Sequence, residues 1–482
     1  MNLQLLIAGD NVPDLELAGL CEHTGEVRPG FAFIAVAAND ELFDAHCEAA
    51  VSAGAVVILC APHRAVRAVD ANVPVVPVAD VAARRGELAA AFYGDPSSRQ
   101  LCIGITGTNG KTSVAYHLAD LSSALSEPMG YCGTLGWGSL ENLRGGEMTT
   151  ANAVALQRNL SALADEGMRR VALEISSHAL DQQRARDVHI DLGVFTNLTR
   201  DHLDYHGSVE AYGAAKRRLF TDWPLRCAVI NVDDGFGREL SEQARCPVVT
   251  YGARGDWQWQ AERDHDGLRV SWSTPHGELR ARLPVVADYA VANVTAAIIA
   301  LVEMGHAPAE VVEAATALRP VPGRMELISV SRRVATAVVD YAHTPDALEK
   351  ALAAVRPFVA GRLICVVGCG GDRDRGKRAL MGAAASACAD RVWLTSDNPR
   401  SEDPQAIIED MLEGVAEADG TVDVCIEREH AIRAAIESAN IGDVVLIAGK
   451  GHEDYQEIAG IRSAFDDRLI ARQSLLSIEE RS

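Results

Sequence analysis

A glycine-rich turn between an apolar strand and a helix constrains this chain more than any other stretch of it. The run Leu101-Cys102-Ile103-Gly104-Ile105 leads into Gly107-Thr108-Asn109-Gly110-Lys111-Thr112, and a helical pattern follows over residues 113–125. Such a turn presents backbone N–H groups to phosphates at a helix N-terminus. Lys111 is placed to reach the terminal phosphates and the Thr112 hydroxyl to bind Mg²⁺. The strict phosphate-loop spacing is not met, because Ile105 stands where the first glycine belongs. An ordinary glycine-rich strand-to-helix turn is the competing reading. The motif alone does not separate a kinase, a GTPase and an ATP-driven ligase, although no guanine-reading N-K-x-D sequence occurs in the chain.

Short apolar runs and helical stretches alternate on both sides of this turn, which predicts an α/β chain built on parallel sheets. Its 482 residues suggest about three domains. The first, 1–96, has strands expected at 31–36 and 55–59, a helix between them over 46–54, and a linker at 93–98. The second, 97–322, adds strands at 171–175, 192–195 and 227–230, a β-hairpin over 261–283 and a helix over 291–304. The third, 323–482, begins with a strand at 334–339 and continues through 363–368, 392–394 and 444–448. With 48% hydrophobic and 23% charged residues, each unit can bury a core, and a largely disordered chain is excluded. No apolar run approaches the roughly 20 residues of a membrane span, and the opening residues lack the pattern of a signal peptide. A net charge of −22 counts against nucleic acid as a partner. Eleven scattered cysteines without a C-x-x-C pair read as free thiols of a cytoplasmic protein. A monomer acting on small-molecule substrates is the expected form.

Lysine occurs five times, at 111, 216, 350, 377 and 450, although Lys and Arg together number 45. In a chain this rich in arginine, a lysine can mark a place where a primary amine is required, as a point charge or a nucleophile; chance retention on a solvated face is the alternative. Two polar clusters end successive strands of the second unit: Glu174-Ile175-Ser176-Ser177-His178, and Thr196-Asn197-Leu198-Thr199-Arg200-Asp201-His202-Leu203-Asp204. Ligand sites of parallel sheets form at carboxyl strand ends, so Glu174 is well placed for Mg²⁺, and His202, Asp201 and Asp204 of the second cluster could reach the same cleft. Taken singly, either histidine of these clusters could be structural.

These residues, with Asp340-Tyr341-Ala342-His343-Thr344-Pro345, Gly370-Gly371-Asp372-Arg373-Asp374 and Gly449-Lys450-Gly451-His452-Glu453, resemble the Mur ligase family from about Gly104 to Asp466, roughly three-quarters of the chain. These are ATP-dependent, amide-forming enzymes of bacterial peptidoglycan synthesis. The resemblance implies an acceptor-binding N-terminal domain, a central ATPase with a doubly wound sheet and a Rossmann-like C-terminal domain. It also implies a carboxylate activated as an acyl phosphate and then attacked by an amine. Gly107, Thr108, Asn109, Gly110, Lys111, Thr112 and Ser113 would hold ATP, with Asn293, Arg324, Asp340 and His343 near the nucleotide. Lys111, Glu174, His202 and Lys216 would be catalytic. Thr112, Glu174, His202 and a carbamylated Lys216 would serve Mg²⁺. Thr24, Thr149, Thr150, Ser176, Gln182 and Arg184 would contact the acceptor.

Asp397-Asn398-Pro399-Arg400 matches the branch of the family that adds meso-diaminopimelate to the D-Glu carboxylate of UDP-N-acetylmuramoyl-L-Ala-D-Glu. The diamino acid carries a second carboxylate, which a guanidinium can bind bidentately. Arg373, Gly449 and Glu453 would complete that pocket. An Asx-type turn before a helix is the bland reading of the tetrapeptide. The N-terminal domain departs from the family. His23-Thr24-Gly25 replaces its Asp-Ser-Arg, Ala38-Asn39-Asp40-Glu41-Leu42-Phe43 reads as an acidic loop, and Tyr289-Ala290 within 286–293 replaces a Phe-Asn pair. A ligase of a specialised pathway, joining an amino acid to a different, non-UDP carboxylate, is therefore the alternative expectation.

Overall fold

The computed structural model describes every residue except 8, 10–11, 67–71, 147, 265–266, 286, 332, 416–420 and 482. Three sheets of mainly parallel strands follow one another along the chain. The first has four parallel strands, Gly19–Cys21, Phe31–Ala35, Val57–Cys60 and Val75–Pro77. The central sheet has eight. Six are parallel, in the spatial order Val248–Tyr251, Cys227–Asn231, Leu192–Phe195, Leu101–Thr106, Arg170–Glu174 and Met129–Gly133; Gly136–Ser139 and Asn142–Arg144 extend it antiparallel. The third sheet carries Thr336–Asp340, Val444–Ala448, Leu363–Val367, Arg391–Leu394 and Thr421–Val424 in parallel, edged by the antiparallel Glu326–Ile328.

The runs are apolar throughout because both faces of such sheets are covered. Each sheet accordingly has two apolar layers. In the central one, Ile103, Leu118, Val194 and Ile298 lie on one side, and Leu160, Leu173, Ile190 and Phe220 on the other. The chain leaves Leu101–Thr106 for one side of the sheet and returns on the other, at Leu192–Phe195. Crevices open at the carboxyl end of such a switch point, and the glycine-rich turn sits there.

Three local expectations need correction. The helix expected at 46–54 runs Asp40–Ser52, because the Asn39 side chain accepts a hydrogen bond from Leu42 N at 2.9 Å and caps it. Asp40 and Glu41 are thus not an acidic loop. They form the first turn of a helix, where its dipole favours negative charge, and Asp40 also pairs with Arg64. The expected hairpin is a three-stranded antiparallel sheet, Gln258–Asp264, Gly267–Thr274 and Gly277–Leu283. Tyr289-Ala290 lies in the helix Asp288–Glu303, while Val286 falls outside the described residues. The linker is pinned: Ser97 is fully buried and its hydroxyl accepts from His189 N at 3.0 Å.

In the third unit Arg428 and Asp467 form an ion pair at 2.7 Å with no exposure on either side chain. Arg428 also donates to the carbonyls of Ala448 (2.9 Å) and Ser396 (3.4 Å), which tethers two strand ends. Removing one partner of a buried pair leaves an uncompensated charge and costs about 3–5 kcal/mol. Arg428→Leu should lower stability by that amount, measured as an earlier denaturant midpoint of the C-terminal unit.

Candidate active site

The glycine-rich turn is shaped by contacts that leave no room for side chains. Gly107 has φ +150, and a Cβ there would lie 1.9 Å from Thr196 Oγ1; Gly110 has φ +89, and a Cβ would meet Asn293 Oδ1 at 2.5 Å. Lys111 folds back to donate to the carbonyls of Gly107 and Thr108, both at 2.9 Å. Asn197 Oδ1 accepts from Asn109 N at 3.0 Å. The helix Lys111–Ala124 follows, so its first N–H groups open onto the turn.

Thr112 Oγ1 donates to Glu174 Oε2 at 2.9 Å. Glu174 is buried and also accepts from Thr134 N (2.9 Å), Thr134 Oγ1 (3.0 Å) and the Tyr131 hydroxyl. Hydroxyl and carboxylate oxygens are the hard donors that Mg²⁺ takes, so the pair fits that ion. The other two predicted metal residues stand apart from it. Lys216, 1% exposed, donates to Gly107 O at 2.8 Å, and its Nζ lies 4.3 Å from the centre of the Tyr212 ring. His202 flanks the same ring at 6.0 Å and packs edge-on against His178 at 4.8 Å. Among the described residues no group of three or more His, Cys, Asp or Glu is set to hold a metal ion. Burial, reinforced by neighbouring Lys111, pushes the Lys216 amine well below the usual lysine range. Burial also lowers His202, although Asp201 opposes the shift.

The third unit closes over this turn. Arg324 Nη2 donates to Thr112 Oγ1 at 3.2 Å, and its guanidinium lies 4.2 Å from the centre of the Tyr341 ring. Asp340 accepts from Met325 N and Ala342 N, and His343 Nδ1 is 2.9 Å from Tyr341 O. A cavity of about 760 Å³ lies between the units, lined by Asn109, Ser113, Asn293, Arg324, Asp340 and His343 among others. Arg324 Nε is buried in it without a partner, as a site for an anion requires. Tyr289 also lines it, in place of the expected Phe-Asn pair.

On the other side of Glu174, a second cavity of about 500 Å³ joins the N-terminal turn at His23, Gly25 and Glu26 to Thr149 and Thr150. Thr24 opens that 3₁₀ turn. Thr150 Oγ1 bonds Glu174 O (2.8 Å) and Ser176 Oγ (3.4 Å). Arg184 donates to Gln182 Oε1 (2.6 and 2.9 Å) and Thr150 O (2.9 Å). All five predicted acceptor residues of the central unit are therefore in one neighbourhood. Arg158 lines the same cavity, 3.3 Å from Glu26. It supplies a guanidinium near the place where Gly25 lacks one, and no sequence pattern pointed to it.

In the third unit, three strand ends converge. Asn398 Nδ2 donates to Glu453 Oε2 at 2.7 Å. Arg400, at φ +53, donates to Gly371 O at 2.7 Å and pairs by its backbone with Glu457. Gly449, at φ +115, approaches Asp397 so closely that a Cβ would be 2.7 Å from its carboxylate. Pro399 is buried behind Gly371. Arg373 stays exposed at the rim, its Nη1 on Asp372 O. Lys377 donates to His343 O, and Lys450 to Asn398 and Glu453. Lys111, Lys216, Lys377 and Lys450 thus make contacts at the site, and Lys350, paired with Asp346 on an exposed helix face, also lines the larger cavity.

The fold and these sites place the chain in a known class. Residues 105–301 match the Mur ligase middle domain and residues 323–451 the Mur ligase glutamate ligase domain. The chain belongs to the Mur ligase family and is an ATP-dependent amide ligase. A protein of Ectopseudomonas mendocina named UDP-N-acetylmuramoyl-L-alanyl-D-glutamate–2,6-diaminopimelate ligase is 45% identical over 94% of both chains. Its namesake in Pseudomonas aeruginosa is 44% identical over 97% of this chain and 96% of its own. A solved structure of a ligase of that name superposes with a TM-score of 0.69 at 35% identity, covering 99% of each chain. The MurF ligase of Thermotoga maritima, solved in complex with ADP, shares the fold at a TM-score of 0.68 and 17% identity. No helix among the described residues is long and apolar enough to cross a membrane.

Proposed function

We propose that this chain joins meso-diaminopimelate to the D-Glu carboxylate of UDP-N-acetylmuramoyl-L-Ala-D-Glu, with residues 1–96 and the second cavity receiving the acceptor, 97–322 the ATP and 323–482 the amino acid. What carries the reading is one chain that aligns end to end with ligases of that name and folds Asp397-Asn398-Pro399-Arg400 against Glu453. Lys111 and Arg324 neutralise the γ-phosphoryl group as it passes to the acceptor carboxylate, leaving ADP and an acyl phosphate; positioning and charge compensation are what this transfer needs. Thr112 and Glu174 would hold Mg²⁺, which supplies further charge neutralisation. His202, beside the Tyr212 ring, would serve a second ion. The amine of diaminopimelate then attacks the acyl carbon, phosphate leaves with the bonding electrons, and the amine loses a proton to give the amide. Arg400 reads the distal carboxylate, and Glu453 an ammonium group.

Lys216 is proposed to carry a carbamate. Its lowered basicity favours the neutral amine, the form that attacks CO₂, and the carbamate forms with release of one proton. The remaining N–H can still donate to Gly107 O. A carbamate also sets an anion beside the Lys111 ammonium, where a protonated Lys216 would meet like-charge repulsion.

The acceptor decides between this reading and the specialised ligase. The cavity's arginine, Arg158, is already paired with Glu26, which favours a less anionic acceptor. Calorimetric titration with the UDP-linked dipeptide is expected to show saturable binding. Absent heat with nucleotide binding intact, and phosphate release with another carboxylate, would replace it with the alternative.

A further inference from the structure

Lys450 has no side-chain exposure. Its Nζ donates to Asn398 Oδ1 and to Glu453 Oε2, each at 3.0 Å, and lies 5.4 Å from the centre of the Tyr455 ring. Asn398 Nδ2 donates to that same Glu453 oxygen at 2.7 Å, and Asn398 Oδ1 also accepts from Glu457 N at 2.9 Å. Asn398 follows the strand Arg391–Leu394, whereas Lys450 and Glu453 follow Val444–Ala448. One ammonium therefore ties together two strand ends that share no covalent connection nearby. The tie is also lopsided. Oε2 of Glu453 takes two donors, while Oε1 takes no hydrogen bond among the described residues, and the side chain is 19% exposed.

We propose that Lys450 is a positioning residue: by occupying Oε2 together with Asn398, it turns Glu453 Oε1 toward the ammonium group of the incoming amino acid. The inference rests on the amino-acid site proposed above. A carboxylate held at one oxygen by two donors has lost its freedom to rotate and keeps its second oxygen for a cation. Lysine suits the place because it is a compact point charge; the planar fork of arginine would need a wider space between Asn398 and Glu453. This gives a reason for keeping a lysine in a chain that otherwise uses arginine.

The test is a double-mutant cycle on the full-length enzyme with Lys450→Met, Glu453→Gln and the pair, reading the KM for diaminopimelate and, separately, nucleotide affinity by calorimetry. Each single variant should raise that KM roughly 10- to 150-fold, the effect of one charge-assisted hydrogen bond, with nucleotide affinity within about twofold. The pair should be no worse than the poorer single variant, because residues acting through one contact are not additive. A merely structural lysine would instead lower both affinities and add to Glu453→Gln. If Lys450→Met does not fold, Lys450→Gln, which keeps a donor and loses the charge, is measured in its place. An unchanged KM in the lysine variant beside an impaired Glu453→Gln, or additive effects, overturns the inference. An unchanged KM in Glu453→Gln overturns the amino-acid site itself.

Discussion

The Lys216→Ala enzyme is expected to lose most of its ligase activity, on the order of 10²- to 10³-fold in kcat, the usual cost of removing one preorganised electrostatic group. The nitrogen it deletes sits under the phosphate turn, 2.8 Å from Gly107 O and against the Tyr212 ring. If the working group there is a carbamate, a small carboxylate such as formate should restore part of the activity by filling the emptied space with negative charge. Lys216→Arg should not be active, because a guanidinium forms no such carbamate and keeps its positive charge. Steady-state phosphate release with and without formate measures all three. A fully active Lys216→Arg enzyme would sink the carbamate, and a rescue by ammonium salts instead of formate would show that the site needs a cation.

Arg400→Ala should raise the KM for diaminopimelate about 10- to 150-fold, equivalent to a charge-assisted hydrogen bond of about 1.5–3 kcal/mol, with ATP affinity hardly changed. One donor of Arg400 is engaged by Gly371 O, which steers the guanidinium and leaves its other N–H groups for a carboxylate. Because Arg400 holds φ +53, alanine adds backbone strain of its own. Arg400→Asn is the control, since asparagine tolerates that conformation. Arg400→Lys should recover little, because a point charge does not reproduce bidentate recognition. A KM unaltered in all three variants would show that the distal carboxylate is read by other residues.

The parts of the site that depend on a few adjacent residues were legible in the chain. The glycine-rich turn is one: strand, two glycines and helix define each other within residues 101–124. The Asp397–Arg400 turn is another. The first turn of the helix at Asp40 was misread because acidic residues look like a solvated loop until the capping Asn39 side chain is seen on Leu42 N. The β-hairpin was misread by one strand, since alternation marks strands without counting the turns between them. The grouping of the metal residues was legible only in part. Thr112 and Glu174 touch, whereas the contacts of His202 are with Asp201, His178 and Tyr212, a difference that spacing along the chain does not encode.

By itself the sequence determined the α/β class and the phosphate turn, because these follow from periodicity and local geometry; the residues of the proposed amino-acid pocket came from the resemblance to the family. The scarcity of lysine also marked five positions, of which 111, 216, 377 and 450 make contacts at the site and 350 lines the larger cavity from an exposed helix face. Only the tertiary structure decided what those residues do to one another. Burial under the turn pushes the Lys216 amine well below the usual lysine range, a consequence of low dielectric that no neighbour in sequence supplies. Arg324 reaches Thr112 across 212 positions, and Arg158 meets Glu26 across 132 at the second cavity. Lys450 can hold Asn398 and Glu453 together only because Arg391–Leu394 and Val444–Ala448, parallel strands with Leu363–Val367 between them, end at the same edge of the sheet.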